Sequence, residues 1–255
     1  MSDYLFRVPL NWPSTLKKVL AAAKSAKKGL VVFDLDSTIF DNRPRQARIV
    51  REFGAARGIT QLKLCQPWHF TSGWNLDAAV VACGLTPTAA KTYSDALHTF
   101  WKERFFTSEY CKDDIEILGA PRYLAALLPM QAKIVYVTGR HEEMRKGTEA
   151  CLKRCGMPLP DAAAKSADKS AAGTAKVTLI MKPTLEEKDD EFKRKAHEQL
   201  AKLGTVIAAF DNEPRHINDY AEKFKKALCV HLATDQSSAP IHPSDRCVSI
   251  PHFAY

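Results

Sequence analysis

Leu30-Val31-Val32-Phe33-Asp34-Leu35-Asp36-Ser37-Thr38-Ile39-Phe40-Asp41 is the stretch on which the reading of this chain turns. An apolar run enters it from Gly29, has the length and hydrophobicity of a short buried strand, and ends abruptly in two aspartates two residues apart. Alternation along extended backbone puts Asp34 and Asp36 on one side. Ligands of an open parallel sheet collect at the carboxyl ends of its strands, so these carboxylates stand where a catalytic pair would stand. The competing reading is a strand that merely ends in solvated acids.

Working outward, other apolar runs end in reactive chemistry. Lys133-Ile134-Val135-Tyr136-Val137-Thr138-Gly139-Arg140 closes on a hydroxyl and a glycine, and Gly204-Thr205-Val206-Ile207-Ala208-Ala209-Phe210 closes on Asp211-Asn212-Glu213-Pro214. Residues 177–181 form a further strand, followed by Lys182-Pro183-Thr184, and 227–232 another. Amphipathic helices are expected over 14–28 with Ser14 as N-cap, over 120–128, and in a charged segment up to Leu203 that buries Phe192, Ala196 and Leu200. Residues 162–176 read as a surface connection. The tail with Pro240, Pro243 and Pro251 is expected to pack as loop.

Between the first two strands the sheet pattern vanishes. Helical spacing governs 45–57 and 76–83, and Thr86-Pro87 starts a longer helix on which Tyr93, Leu97, Phe100, Trp101 and Arg104 form a stripe best read as core packing. Residues 42–118 are therefore expected to be an all-helical insert, with Trp68, His69 and Trp74 in its irregular part.

These positions together resemble the motifs of the haloacid dehalogenase (HAD) superfamily. Asp34-Leu35-Asp36-Ser37-Thr38 is similar to its first motif in the DxDxT phosphatase form, Thr138-Gly139 to the second, and Asp211-Asn212 to the fourth. Asn212 stands where a second aspartate is commoner. The third motif is a lysine: Lys188-Asp189-Asp190-Glu191-Phe192-Lys193 resembles the lysine segment of HAD polynucleotide phosphatases and favours Lys193, with Lys182 as second candidate.

The resemblance implies an α/β fold, a three-layer Rossmann-like core of residues 1–41 and 119–255 around a central parallel sheet. Residues 42–118 fall at the position of the type 1 cap, and Trp68, His69 and Trp74 become candidates for its substrate-facing surface. It implies Asp34 as nucleophile, Asp36 as general acid and then base, Thr138, Gly139 and Lys193 or Lys182 on the phosphate, and Mg²⁺ held through Asp34, Asp36, Asp211 and Asn212. Mg²⁺ suits hard oxygen ligands, and two carboxylates near a dianionic phosphate need a compensating cation. Asp36 separates the phosphomonoesterases from the dehalogenases, whose halide leaving group needs no proton.

Composition is compatible with this. The 255 residues are 45% hydrophobic and 26% charged, enough for a full core with an insert. The net charge of +8 suits an anionic partner, but its lysines and arginines are scattered rather than gathered in a nucleic-acid-binding tract. Seven cysteines, an odd number without CxxC spacing, read as reduced thiols of a cytoplasmic protein, and no export signal or membrane span is expected. A phosphorylated small molecule is the expected substrate. The alternatives are a nucleotide or polynucleotide phosphatase, against which stand the scattered charge and a cap that would crowd a polymer, and a catalytically silent HAD-fold binding module.

Overall fold

A computed structural model describes residues 8–162, 175–237 and 241–255. Most of the connection read at 162–176, and Pro240, lie outside the described residues. Helix α1 (Pro13–Ser25) leads into strand β1 (Gly29–Phe33), which is buried throughout. Ser14 lies inside α1 rather than capping it: Pro13 opens the helix after Trp12, and no side chain caps it. The core continues with α5 (Ala120–Leu127), β4 (Lys133–His141), α6 (Arg145–Arg154), β5 (Val177–Lys182), α7 (Asp189–Leu203), β6 (Thr205–Asp211), α8 (Pro214–Lys223), β7 (Leu228–Leu232) and β8 (Cys247–Ile250).

The six core strands pair in the order β5-β4-β1-β6-β7-β8, all parallel. Strand β8 corrects the expectation of a loop tail: Cys247–Ile250 is short and partly exposed, a weak local signal, and forms by pairing with β7. Alternation in β1 sends Val31 and Phe33 into a core with α1, α5 and α6, while Leu30 and Val32 face α7 and α8. The result is a three-layer α/β sandwich with β1 near its middle. Phe33 of β1 stacks on Phe210, its register partner in β6, with ring centroids 4.6 Å apart and planes 10° from parallel. Each immediately precedes an aspartate, so this packing sets the relative height of Asp34 and Asp211. Truncating Phe210 to alanine is expected to cost about 3–5 kcal/mol.

The insertion comprises α2 (Arg43–Arg57), α3 (Leu76–Ala82) and α4 (Pro87–Phe105) with short 3₁₀ turns between them. Asn75 and Thr86 cap α3 and α4, and Gly58 ends α2 in the left-handed region at φ 71°. Its own core gathers Val50, Phe53, Leu62, Phe70, Val80 and Leu97. The expectation of an all-helical insert needs one amendment. β2 (Phe40–Asp41) pairs antiparallel with β3 (Ile115–Glu116), so the outgoing and returning chains are tied at the neck.

Candidate active site

Extended geometry stops at Phe33, and the next residues fold into a tight turn. The amides of Thr38, Ile39 and Phe40 all point at the Leu35 carbonyl, and Ser37 takes φ 56°. This turn, more than strand alternation, sets where the two aspartates go. Both line one cavity, facing different partners.

Asp34, anchored by its amide on the Phe210 carbonyl at 2.9 Å, turns toward β6 and α7. Lys193 Nζ donates to Asp34 Oδ1 at 2.7 Å and to Asp211 Oδ2 at 2.6 Å. All three groups are buried. Lys193 lies on the inner face of α7, one turn before His197 and beside Phe192 and Ala196, so the helix's apolar stripe carries the ammonium into the site. Burial dominates Asp34 and, with Asp211 nearby, lifts its pKa to about 7 in spite of Lys193. For Asp211 burial acts in the same sense, but Lys193 and His216 outweigh it and hold the carboxyl well below the usual range. The pair therefore has unequal acidity, with Asp34 the one that retains a proton near neutral pH.

Asp36 turns the other way. Arg140 donates to it through Nε at 2.9 Å and Nη2 at 2.5 Å, and Asn42 Nδ2 donates at 2.8 Å. Arg140 also reaches Asp114 at 2.6 Å, and Asp114 in turn pairs with the wholly buried Arg45. Burial raises the Asp36 carboxyl, but Arg140 more than offsets it, and the pKa falls to about 2. Arg45 and Asp114 lie on the outgoing and returning sides of the insertion, so Asp36 sits in a charge cluster reaching the neck from both directions. Sequence reading missed Arg140, Arg45 and Asp114. The only signal was the unusual density of arginines at 43–51.

Thr138 is fully buried, and its hydroxyl accepts from the Arg140 amide at 3.2 Å; Gly139 and Arg140, rather than Thr138, line the cavity. A side chain on Gly139 would meet the Asp189 carboxylate at 2.8 Å. Lys182 Nζ pairs with Asp189 Oδ1 at 2.7 Å, while Lys193 is the lysine on Asp34. Thr38 Oγ1 lies 3.2 Å from Asp34 Oδ2 and 3.1 Å from Asn212 Oδ1, and accepts from the Asn212 amide at 3.1 Å. Asn212 thus joins the first and fourth motifs, and its Nδ2 donates to the Asp235 carbonyl at 2.6 Å. Glu213 lines the cavity and accepts from Ser237 through both its amide and hydroxyl.

His216, near the start of α8, was not anticipated from sequence. Its Nδ1 lies 3.7 Å from Asp211 Oδ1, too far for a hydrogen bond, and is buried without a partner, while Nε2 lies 3.0 Å from Asp190 Oδ1. Burial and Lys193 press its pKa down, but the neighbouring carboxylates prevail and raise it. The convergent donors of Asp34 and Asp211, with the main chain at Asp36, are hard oxygens of the kind Mg²⁺ takes.

The insertion supplies much of the remaining wall of the cavity, whose volume is about 320 Å³, and Met144, Thr234 and Asp235 of the core complete it. Trp74 lines it and is 56% exposed. Trp68 is exposed at the surface outside the lining, and His69 accepts the Gln66 amide on Nδ1 as part of a local cap. Trp101, read as core packing, does both jobs: it packs beside the insertion's core and lines the cavity.

No protein-family model and no curated protein sequence matches the chain. Among solved structures, a putative phosphatase from Clostridium difficile matches with a TM-score of 0.50 at 11% identity, over 82% of this chain and 87% of that one. A HAD-superfamily hydrolase of subfamily IA, variant 1, from Geobacter sulfurreducens gives 0.48 at 12% identity, over 91% and 95%. The class C acid phosphatase from Bacillus anthracis gives 0.43 at 15%, over 92% and 74%. At these identities the likeness is one of fold. What is shared is an α/β architecture, a six-stranded parallel sheet with a helical insertion after β1.

Proposed function

We propose that this protein is a phosphomonoesterase that works through Asp34, with residues 42–118 acting as a cap over a core of 1–41 and 119–255. The observation that carries the reading is Lys193 held between Asp34 and Asp211 at the carboxyl ends of β1 and β6. A nucleophilic carboxylate has to be ionised and still approach a dianion, and a buried ammonium serves both needs.

Asp34 and Asp211, with the backbone carbonyl of Asp36 and with Asn212 beside them, would hold Mg²⁺, which supplies charge against the phosphate and keeps Asp34 ionised. The donor set fits, and the burial that lifts Asp34 to about 7 is the condition a further cation would relieve. Asp34 attacks phosphorus as the ester P–O bond breaks, the electron pair leaving on the alcohol oxygen. Asp36 delivers a proton to that oxygen, then takes one from the water that cleaves the aspartyl-phosphate and restores Asp34. Because Arg140 holds Asp36 ionised, the acid step requires Asp36 to turn out of that clamp into the cavity it already lines and to take up a proton from solvent there before it can give one to the leaving oxygen. Gly139 and Lys193 are assigned to the phosphate; Thr138, buried outside the cavity, supports through the Arg140 amide rather than touching the phosphate as the sequence suggested, and Lys182 supports through Asp189.

The test is phosphate release from an aryl phosphate and from panels of sugar phosphates, nucleotides and phosphorylated oligonucleotides, with Mg²⁺ and with EDTA. Release that needs both the metal and Asp34 is expected. A folded protein inactive across the panel, or activity surviving Asp34→Asn, would sink the reading.

A further inference from the structure

Phe70, Trp74, Trp101, Phe105 and Phe106 all come from the insertion and all line the cavity that holds Asp34 and Asp36. Three of them form one rigid cluster. Trp101 stacks on Phe105 at 4.6 Å and 22°, and Phe106 stands edge-on to both, at 5.5 Å and 79° from Trp101 and 5.2 Å and 83° from Phe105.

The cluster is connected to the proposed acid. The Arg45 guanidinium lies 4.5 Å from the Phe105 ring centroid and 3.6 Å from Asp36 Oδ1. A leaving-group oxygen must reach Asp36 to receive its proton, so the body of the leaving group extends along this aromatic side.

Apart from the exposed Thr71, the polar side chains that the insertion brings to the cavity are engaged within the protein. Asn42 is bound to Asp36, Arg43 to Asp41, and Arg45 to Asp114. Gln46 Oε1 accepts from the Trp101 indole at 3.0 Å, and Ser72 Oγ accepts from the Trp74 amide at 3.2 Å. A polyhydroxylated leaving group would call on such side chains for hydrogen bonds and would leave them competing with their present partners. A flat apolar group asks only for ring surface.

We infer that the substrate is a phosphomonoester whose leaving group is a planar aromatic system, received by the aromatic side of the insertion. This rests on the phosphomonoesterase reading. The flat ring is that of an aryl alcohol; a nucleoside carries its ring behind the sugar hydroxyls that these side chains do not serve.

Phenylphosphonate and cyclohexylphosphonate, compared at a pH where both are dianions, are close in size but differ in flatness, and neither is hydrolysed. Their binding to the wild-type chain with Mg²⁺, by calorimetry, tests the wall apart from turnover. The phenyl compound is expected to bind about tenfold tighter, and Trp74→Leu and Trp101→Leu to erode that ratio toward one. Equal binding, or a preference for cyclohexyl, overturns the inference even if phosphate release is robust. In turnover, kcat/KM for phenyl phosphate is expected to exceed that for a nucleoside monophosphate and for glycerol or hexose phosphates about tenfold or more, and a preferred nucleoside monophosphate would overturn the aryl assignment. Preferred hexose phosphates would defeat this inference and leave the phosphatase standing. Loss of all Asp34-dependent release would defeat the phosphatase reading, while the phosphonate ratio still decides whether the wall selects flat groups.

Discussion

Arg140 clamps Asp36: the guanidinium Nε lies 2.9 Å from Oδ2 and Nη2 lies 2.5 Å from Oδ1, across 104 residues of chain. The clamp makes Asp36 a firmly ionised carboxylate, with a pKa of about 2 despite its burial, and an acid only once it turns away. Arg140→Lys keeps the charge but loses the two-point grip. It is expected to raise the Asp36 pKa and, because the acid step needs Asp36 protonated, to shift the alkaline limb of the pH profile of kcat upward. A profile superimposable on wild type would show that the clamp does not tune Asp36. Arg140→Ala would also leave Asp114 short of a partner and is expected to destabilise by about 3–5 kcal/mol, measurable by denaturant unfolding.

Asp34→Asn is expected to abolish turnover, by a factor of about 10³ or more, with the fold intact by circular dichroism. Because burial disfavours the Asp34 carboxylate, the metal-free variant at pH 8 is expected to be at least as stable as wild type, by roughly 1–3 kcal/mol. A clearly less stable variant would mean that the ion pair with Lys193 outweighs burial.

The two lysines are expected to differ sharply. Lys193→Ala strips the ammonium from two buried carboxylates and is expected to cost about 10²-fold or more in kcat/KM, and several kcal/mol of stability. Lys182→Ala breaks one contact with the half-exposed Asp189 and is expected to cost at least tenfold less in kcat/KM. The reverse order in phosphate release would move the third motif to Lys182.

The pH dependence of metal stabilisation has a definite sign. With its folded pKa raised, Asp34 keeps its proton in the folded chain after the unfolded chain has lost it. Stability from this group therefore falls as pH rises from the ordinary carboxylate value to about 7, and the loss is complete above that. Mg²⁺ is expected to recover it, raising Tm by about 3 °C or more at pH 8 and by much less at pH 5.5. A shift independent of pH would contradict binding at Asp34.

Gly119 begins α5 at φ 81°, and an added Cβ would fall 2.5 Å from the Ala254 amide nitrogen and 2.7 Å from the Phe253 carbonyl carbon. Both are backbone, so Gly119→Ala is expected to cost about 2 kcal/mol or more in thermal unfolding. A neutral result would mean that the C-terminal segment yields easily.

The parallel core was legible because each central strand is a local apolar run whose end is marked by a change of residue type: Asp34 after Phe33, Thr138 and Gly139 after Val137, and Asp211 after Phe210. Burial of a strand on both faces leaves that signature in consecutive residues. Helical spacing likewise marked the insertion. Cys247–Ile250 left no such trace, because an edge strand that is half exposed draws its stability from the neighbour that pairs with it.

What only the tertiary structure decided was which charges meet. The segment ending at Lys193 favoured it over Lys182 without settling the choice; the lysine on Asp34 is separated from it by 159 residues, and the inward face of α7 carries it there. The Arg140 and Arg45 guanidiniums, the Asp114 carboxylate and the His216 imidazole acquire their roles only through contacts between distant elements, and Trp101 shows core periodicity whether or not a cavity lies beside it. Strand identity is fixed by neighbours along the chain, whereas ion pairing and cavity shape are fixed by packing across it, where periodicity carries no information.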